Sequence, residues 1–121
     1  KMYGKVKDAG LSVFIHSCGN VQEVFPDLIE IGLDVFNPFQ PEVIDIYTIK
    51  KKYGDKLSFF GGISTQKLLP YGTPEDVKKE VGKIIKEIGK DGGYIIAPAH
   101  SIPGDVPLEN ILALIEVVQN Q

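Results

Sequence analysis

Two histidines and one cysteine are the residues best suited to chemistry in this chain of 121 residues. His16 and Cys18 stand two apart at the end of a short apolar run, in the segment His-Ser-Cys-Gly-Asn. Residues two apart on a strand face the same side, so an imidazole and a thiolate would project together, about 6–7 Å apart. Such a pair can ligate one tetrahedral Zn²⁺ if further ligands come from elsewhere. The other histidine, His100, follows a later apolar run and is the candidate third ligand.

The same three residues also have a purely structural interpretation. Histidines and a single cysteine near strand ends are often packing residues, and three ligand types without a fourth are weak evidence for a metal. Ser101 and Asp105 could orient His100, although Asp105 could instead cap a helix that Pro107 opens. The residues alone therefore leave a metal site and plain packing both open.

Further polar residues and glycines follow the predicted strands and could contact a substrate. Two amides could hydrogen-bond it and an aromatic ring could cover a planar macrocycle, whereas the neighbouring prolines could merely stiffen a loop. A glycine pair could bring backbone amides to a carboxylate or phosphate, and the alternative is a tight turn that requires positive φ. The substrate-binding candidates are Asn37, Phe39, Gln40, Gly61, Gly62 and Ser64.

Four strands, each followed by a helix, are the elements that must position these residues. The strands are short apolar runs with little alternation, which is typical of parallel strands buried on both faces. They are predicted at residues 12–16, 33–37, 57–61 and 93–97. The helices show apolar residues three and four apart. They are predicted at residues 21–31, 44–53, 73–90 and from Pro107 onward, after the tail of an earlier helix at 1–9.

Strict alternation of strands and helices implies parallel strands joined by right-handed crossovers. A small doubly wound sheet and half of a (β/α)₈ barrel both fit this pattern, and periodicity alone does not separate them. Both architectures place their sites at the carboxyl ends of the strands. His16 and His100 are therefore expected at one edge of the sheet. We interpret residues 1–121 as a single domain.

Composition excludes several other classes of protein. A net charge of −3 without a basic stripe argues against nucleic-acid binding. No apolar run is long enough to cross a membrane. A single cysteine cannot form an internal disulfide, which agrees with an expected cytoplasmic localisation. All 13 basic residues are lysines, so the chain offers no bidentate arginine clamp for carboxylates.

Five segments, in this order, resemble the uroporphyrinogen decarboxylase superfamily. They are His-Ser-Cys-Gly-Asn at 16–20, Ile-Gly-Leu-Asp-Val-Phe-Asn-Pro at 31–38 with Gln-Pro at 40–41, Phe-Gly-Gly-Ile-Ser-Thr-Gln at 60–66, Gly-Gly-Tyr-Ile-Ile-Ala-Pro at 92–98 and Val-Pro-Leu-Glu-Asn-Ile at 106–111. The resemblance covers nearly the whole chain but only the second half of the family's barrel. It implies an α/β fold of the (β/α)₈ TIM-barrel family, here a four-unit C-terminal half-barrel with parallel strands.

The resemblance implies two possible reactions. Zinc-dependent methyltransferases of the superfamily move a methyl group from a corrinoid to a thiol, and His16 with Cys18 match their His-x-Cys ligand pair. His100 stands where their distant cysteine would be, which makes a His₂Cys set with an open fourth position. Decarboxylases of the superfamily act on a tetrapyrrole without any cofactor, and His100 matches a catalytic histidine of their site. Their Asp and Arg residues come from the first half of the barrel.

The resemblance favours zinc-dependent methyl transfer, with tetrapyrrole decarboxylation as one alternative and a non-catalytic fragment or docking module as the other. The expected partners are a small-molecule, tetrapyrrole or corrinoid substrate and a corrinoid protein, with no binding to nucleic acid or membranes expected. Four strand–helix units cannot close a barrel, and an open half exposes two sheet edges and an apolar face. We therefore expect the chain to be a piece of a longer protein or to self-associate.

Overall fold

A four-stranded sheet organises the computed structural model, which describes residues 1–121. Its strands are β1 (Phe14–His16), β2 (Val35–Phe39), β3 (Ser58–Ile63) and β4 (Tyr94–Pro98). All three strand pairs are parallel, and the spatial order is β1-β2-β3-β4. A doubly wound sheet reverses its strand order at a switch point, whereas a barrel adds each strand beside the previous one. The order confirms the half-barrel of the α/β class.

Helices connect the strands and flank the sheet. They are α1 (Met2–Asp8), a 3₁₀ turn (Gln22–Val24) leading into α2 (Phe25–Glu30), α3 (Ile46–Tyr53), α4 (Leu68–Tyr71), α5 (Pro74–Glu87) and α6 (Leu108–Gln119). The helix expected at 21–31 is therefore a 3₁₀ turn followed by a short α-helix. The sequence also gave no signal for α4, because four residues that include a proline carry no helical period.

Local chemistry explains why α5 begins where it does. The Thr73 side chain accepts a hydrogen bond from the Asp76 amide, and the Asp76 carboxylate accepts one from the Thr73 amide. This reciprocal capping box satisfies two amides that the first turn would otherwise leave unpaired. The buried stripe of the helix joins two clusters: Val77 and Val81 pack with Leu114 of α6, and Ile84 belongs to the main core.

The outer face of the sheet carries the main hydrophobic core. Phe25 at the start of α2 is fully buried, and its ring meets those of Phe36 on β2 and Phe59 on β3 edge-on. Phe39 is also fully buried and stacks on Phe59 with ring centroids 4.3 Å apart. Aromatic contacts of this kind join the helices to the strands that carry the candidate site.

The inner face of the sheet is the one that a complete barrel would enclose. Phe14 on β1 and Ile95 on β4 lie on this face and are 51% and 48% exposed. The Phe14 ring meets that of Phe60 edge-on at 5.6 Å, and Phe60 pairs with Ile95 in register. This apolar face and the unpaired edges of β1 and β4 are the features that led us to expect self-association, which stays a prediction.

No helix has the length and apolar character needed to cross a bilayer.

Candidate metal site

His16, Cys18 and His100 meet at the carboxyl edge of the sheet. His16 is the last residue of β1, Cys18 follows it by two positions, and His100 follows β4 by two positions. One ligand atom from each residue lies within 4.8 Å of the others. In a flat sheet β1 and β4 would be about 14 Å apart, because neighbouring strands are about 4.8 Å apart. The curvature of the sheet and the loop after β4 close that gap, and the two imidazole centroids are 5.6 Å apart.

The separations of these atoms can be compared with those around a tetrahedral zinc ion. Zn–N bonds of about 2.0–2.1 Å and Zn–S bonds of about 2.3 Å place nitrogen and sulfur about 3.6 Å apart. His16 Nε2 lies 3.2 Å from Cys18 Sγ, so this pair needs to widen by only a few tenths of an ångström. The largest ligand separation, 4.8 Å, must close by about 1 Å. All three side chains are exposed, so a metal and a substrate can reach them.

Asn37 supports His16 from the neighbouring strand. His16 and Asn37 are partners in the parallel register of β1 and β2, and His16 Nδ1 lies 2.5 Å from Asn37 Oδ1. The Asn37 amide nitrogen donates to the carbonyl oxygen of Phe60 on β3 at 3.1 Å. Asn37 is only 8% exposed, and the sequence had suggested that it contacts a substrate. In the structure its amide instead joins β1 to β3, and this role depends on the register of β1 with β2, which the sequence does not show.

His100 makes a different contact. Its Nδ1 accepts a hydrogen bond from the backbone amide of Ser101 at 3.0 Å. A neutral ring that accepts at Nδ1 carries its proton on Nε2. Ligation through Nε2 therefore requires Nδ1 to release the Ser101 amide, whereas ligation through Nδ1 replaces that hydrogen bond. His100 fits the zinc site by position and needs one local adjustment.

Two expectations about the loop after β4 are corrected. Ser101 contacts His100 through its backbone amide, and its hydroxyl makes no hydrogen bond to the ring. Asp105 makes no hydrogen bond to His100 either. It also does not cap α6, because the N-cap residue of that helix is Pro107 and no side chain caps it.

Phe39, Gly61 and Gly62 have structural positions. The Phe39 ring is fully buried in the core, so it has no surface with which to cover a macrocycle, contrary to our expectation. Gly61 and Gly62 are buried inside β3 with φ angles of 125° and 92°. A Cβ on Gly62 would lie 2.4 Å from the Tyr94 hydroxyl oxygen. This hydroxyl donates to the Gly61 carbonyl at 2.6 Å, and burial raises the pKa of Tyr94 above its usual value. Both glycines therefore have the expected positive φ, but they lie within β3 and not in a tight turn after it.

Ser64 belongs to a polar cluster that the sequence did not reveal. Its hydroxyl donates to the Glu42 carboxylate and accepts from the amides of Lys67 and Leu68, where α4 begins. The other carboxylate oxygen of Glu42 is buried without a hydrogen-bond partner. Gln40 is half-buried, and its side chain makes no hydrogen bond within the chain. The loops after β2 and β3 thus meet through Glu42 and Ser64, and contact with a substrate stays a prediction for Gln40 and Ser64.

Comparison with known proteins adds family information to this geometry. A family model described as uroporphyrinogen decarboxylase (URO-D) matches residues 1–121. The chain is 31% identical over 120 residues to a uroporphyrinogen decarboxylase of Chlorobium phaeovibrioides (strain DSM 265 / 1930), which covers 97% of this chain and 32% of that protein. It is 25% identical over 109 residues to a methylated-thiol–coenzyme M methyltransferase of Methanosarcina mazei, which covers 90% of this chain and 28% of that protein.

A solved structure shares the fold. A methyltransferase from Methanosarcina mazei aligns with a TM-score of 0.73 and 22% identity, over 98% of this chain and 34% of that one. At this level of identity the likeness is one of fold. The chain spans 32% and 28% of the lengths of the two curated relatives named above, so both relatives are much longer proteins.

Proposed function

Because the chain belongs to the uroporphyrinogen decarboxylase family, we propose that it provides the zinc-binding part of an enzyme that transfers a methyl group from a corrinoid to a thiol. The observation that carries this proposal is the convergence of His16, Cys18 and His100 at the carboxyl edge of the sheet, with ligand atoms within 4.8 Å. Relatives of both reaction types are known, so the choice between the reactions rests on this donor set.

The donor set suits zinc. Two imidazoles and one thiolate are preferred zinc ligands, and three protein ligands leave the fourth tetrahedral position for a substrate. Zinc bound here would hold a substrate thiol deprotonated at neutral pH and supply an activated sulfur. The residues that would hold it are His16 through Nε2, Cys18 through Sγ, and His100 after its adjustment at Ser101.

The chemical step is a displacement at the methyl carbon. A lone pair of the substrate sulfur forms the new sulfur–carbon bond while the cobalt–carbon bond of the corrinoid breaks, and the bonding pair stays on cobalt. The thiol proton leaves to solvent before this step. Phe14 lies two residues before His16 on β1 and packs against Phe60, so apolar side chains line the inner face of the sheet next to the site. These side chains would exclude water from that side of the reacting sulfur.

Metal analysis of the purified chain tests the proposal. We expect about one zinc per chain, as the three-ligand donor set implies, and loss of that zinc in Cys18→Ser and in His16→Ala. Ser17→Ala is the matched control, because this residue lies between the two ligands in sequence and its side chain makes no hydrogen bond to either of them. Cobalt substituted for zinc should show a thiolate-to-metal charge-transfer band that Cys18→Ser removes. A zinc-free wild-type chain, or a zinc content unaffected by Cys18→Ser, would refute the proposal.

Cofactor-free decarboxylation of a tetrapyrrole is the second candidate, and one contact favours it. The hydrogen bond from the Ser101 amide to Nδ1 leaves the neutral ring of His100 with its proton on Nε2, and a proton donor to a substrate requires such a proton. The chain contains no arginine, so arginine clamps for the substrate carboxylates would have to lie outside these 121 residues. A metal-free chain together with decarboxylase activity of the complete enzyme that His100→Ala abolishes would favour this candidate.

A further inference from the structure

We infer that Asn37 is a positioning residue that sets the tautomer of His16 and thereby leaves Nε2 as the free ligand atom. The effect of this tautomer on metal binding rests on the proposed zinc site. The tautomer itself is a property of the metal-free chain and can be measured without zinc, so the two proposals can fail separately.

The orientation of the Asn37 amide follows from its second partner. A backbone carbonyl only accepts hydrogen bonds, so the group that faces the Phe60 carbonyl at 3.1 Å must be the amide nitrogen. The amide oxygen therefore faces His16. Reversing the amide would place two oxygens against each other at Phe60 and would lose this hydrogen bond.

The tautomer of His16 follows from the orientation of the amide. The Asn37 oxygen only accepts, so the His16 Nδ1 that lies 2.5 Å from it must carry the proton. The neutral ring then has its lone pair on Nε2, and Nε2 is the nitrogen 3.2 Å from Cys18 Sγ. The chain of contacts from Phe60 through Asn37 thus selects the nitrogen that faces the other ligands.

Burial keeps this arrangement in place. Asn37 lies on β2, which has a neighbouring strand on each side, and it is 8% exposed. Water therefore competes little for hydrogen bonds to its amide. The partners on both sides belong to β1 and β3, which the register of the sheet holds beside β2. Histidine ligands of metals usually donate their second nitrogen to such a partner, and loss of the partner costs roughly 10- to 100-fold in metal affinity.

His100 provides an internal comparison. Its Nδ1 accepts from the Ser101 amide, so its neutral ring should carry the proton on Nε2. The chain contains only these two histidines. The structure therefore assigns opposite tautomers to them.

Nitrogen-15 NMR of the histidine rings tests the inference directly. We expect long-range proton–nitrogen spectra of the metal-free chain, recorded where both rings are neutral, to show Nδ1–H for His16 and Nε2–H for His100. In Asn37→Leu the Nδ1 partner is gone and His16 should lose its Nδ1–H preference. Asn37→Asp loses the hydrogen bond to the Phe60 carbonyl but retains the acceptor that faces His16, so His16 should keep its Nδ1–H preference. An Nε2–H tautomer for His16 in the wild type, or an unchanged tautomer in Asn37→Leu, would overturn the inference.

Zinc competition with a chromophoric chelator tests the consequence. We expect Asn37→Leu to bind zinc roughly 10- to 100-fold more weakly than the wild type, and Asn37→Asp to lose much less. Asn110→Leu is the matched control, because Asn110 is another buried asparagine that donates to backbone carbonyls, those of Leu69 and Gly72, without touching the site. It should lower stability and leave zinc affinity unchanged. Equal affinity of Asn37→Leu and the wild type would contradict the inference, whereas a wild type that binds no zinc would refute the proposed function and leave the NMR result to decide the tautomer.

Discussion

Replacing Gly62 by alanine tests whether the Tyr94 hydroxyl occupies the space beside Gly62 in β3. The new Cβ would lie 2.4 Å from the Tyr94 hydroxyl oxygen, and the residue would keep a φ angle of 92°. Strain from a non-glycine residue in this region costs about 1–2 kcal/mol. Displacing the Tyr94 hydroxyl also breaks its bond to the Gly61 carbonyl, which costs about 1–1.5 kcal/mol. We therefore expect Gly62→Ala to lower the free energy of unfolding by about 2–3.5 kcal/mol.

A double-mutant cycle with Tyr94→Phe separates the two contributions. Tyr94→Phe alone removes the hydrogen bond and should cost about 1–1.5 kcal/mol. In the double variant the bond is lost only once and the clashing oxygen is absent, so the total should stay at about 2–3.5 kcal/mol. The coupling between the two sites should therefore be about 1–1.5 kcal/mol, which is the value of the bond.

Urea unfolding followed by circular dichroism measures these differences, with the dependence on urea checked for a constant slope. Gly82→Ala is the matched control, because a Cβ at this position in α5 meets nothing within 4 Å. It should stabilise the chain by about 0.5–1 kcal/mol, as alanine favours helices over glycine. Additive effects in the double variant, or a Gly62→Ala variant as stable as the wild type, would show that the Tyr94 hydroxyl does not occupy the space beside Gly62.

Two further predictions concern the positioning of α5 and α1. Thr73→Ala removes the side-chain half of the capping box and should lower the free energy of unfolding by about 1 kcal/mol, measured by urea unfolding, and no loss would show that the box is redundant. The hydrogen bonds from the Lys7 ammonium and the Val13 amide hold the pKa of Asp34 below its usual value. The ionised carboxylate therefore stabilises the fold fully above about pH 4, the pKa of an unfolded aspartate. This stabilisation is lost as the pH falls through the lower pKa of the folded state. Asp34→Asn should therefore be less stable than the wild type by at most about 1 kcal/mol at pH 7, because the pair is partly exposed, and this difference should shrink in acid; a difference that grows in acid would contradict the assignment.

The elements of the fold could be predicted from the sequence because their signals are local. Apolar runs predicted all four strands, although β2 and β3 extend two residues beyond the predicted ends. Helical spacing and the Thr73-Pro74 start predicted α5. The short helix α4 carries no period of its own and depends on contacts at Ser64, whose hydroxyl accepts from the amides of the N-cap residue Lys67 and the first helical residue Leu68. It could not have been found from periodicity.

Roles that depend on contacts across the sheet were harder to predict. Phe39 follows Pro38 at a strand end and looks available in the sequence, but stacking on Phe59 places it in the core. Asn37 looks like a residue that meets a substrate, but the register of β1 with β2 makes it the partner of His16. Glu42 gave no signal at all, because its contact with Ser64 joins two loops that are distant in the chain.

The sequence by itself determined the parallel strand–helix alternation and the residue types of the site, since both depend on side chains a few positions apart. It also predicted that His16 and Cys18 project to the same side, because strand geometry repeats every two residues, although Cys18 lies two residues beyond the end of β1. Only the tertiary structure decided that the strands follow one another around a curved half-barrel and that His100 reaches His16 across it. Curvature and register are set by the packing of helices on the whole sheet, and no short stretch of sequence contains that information.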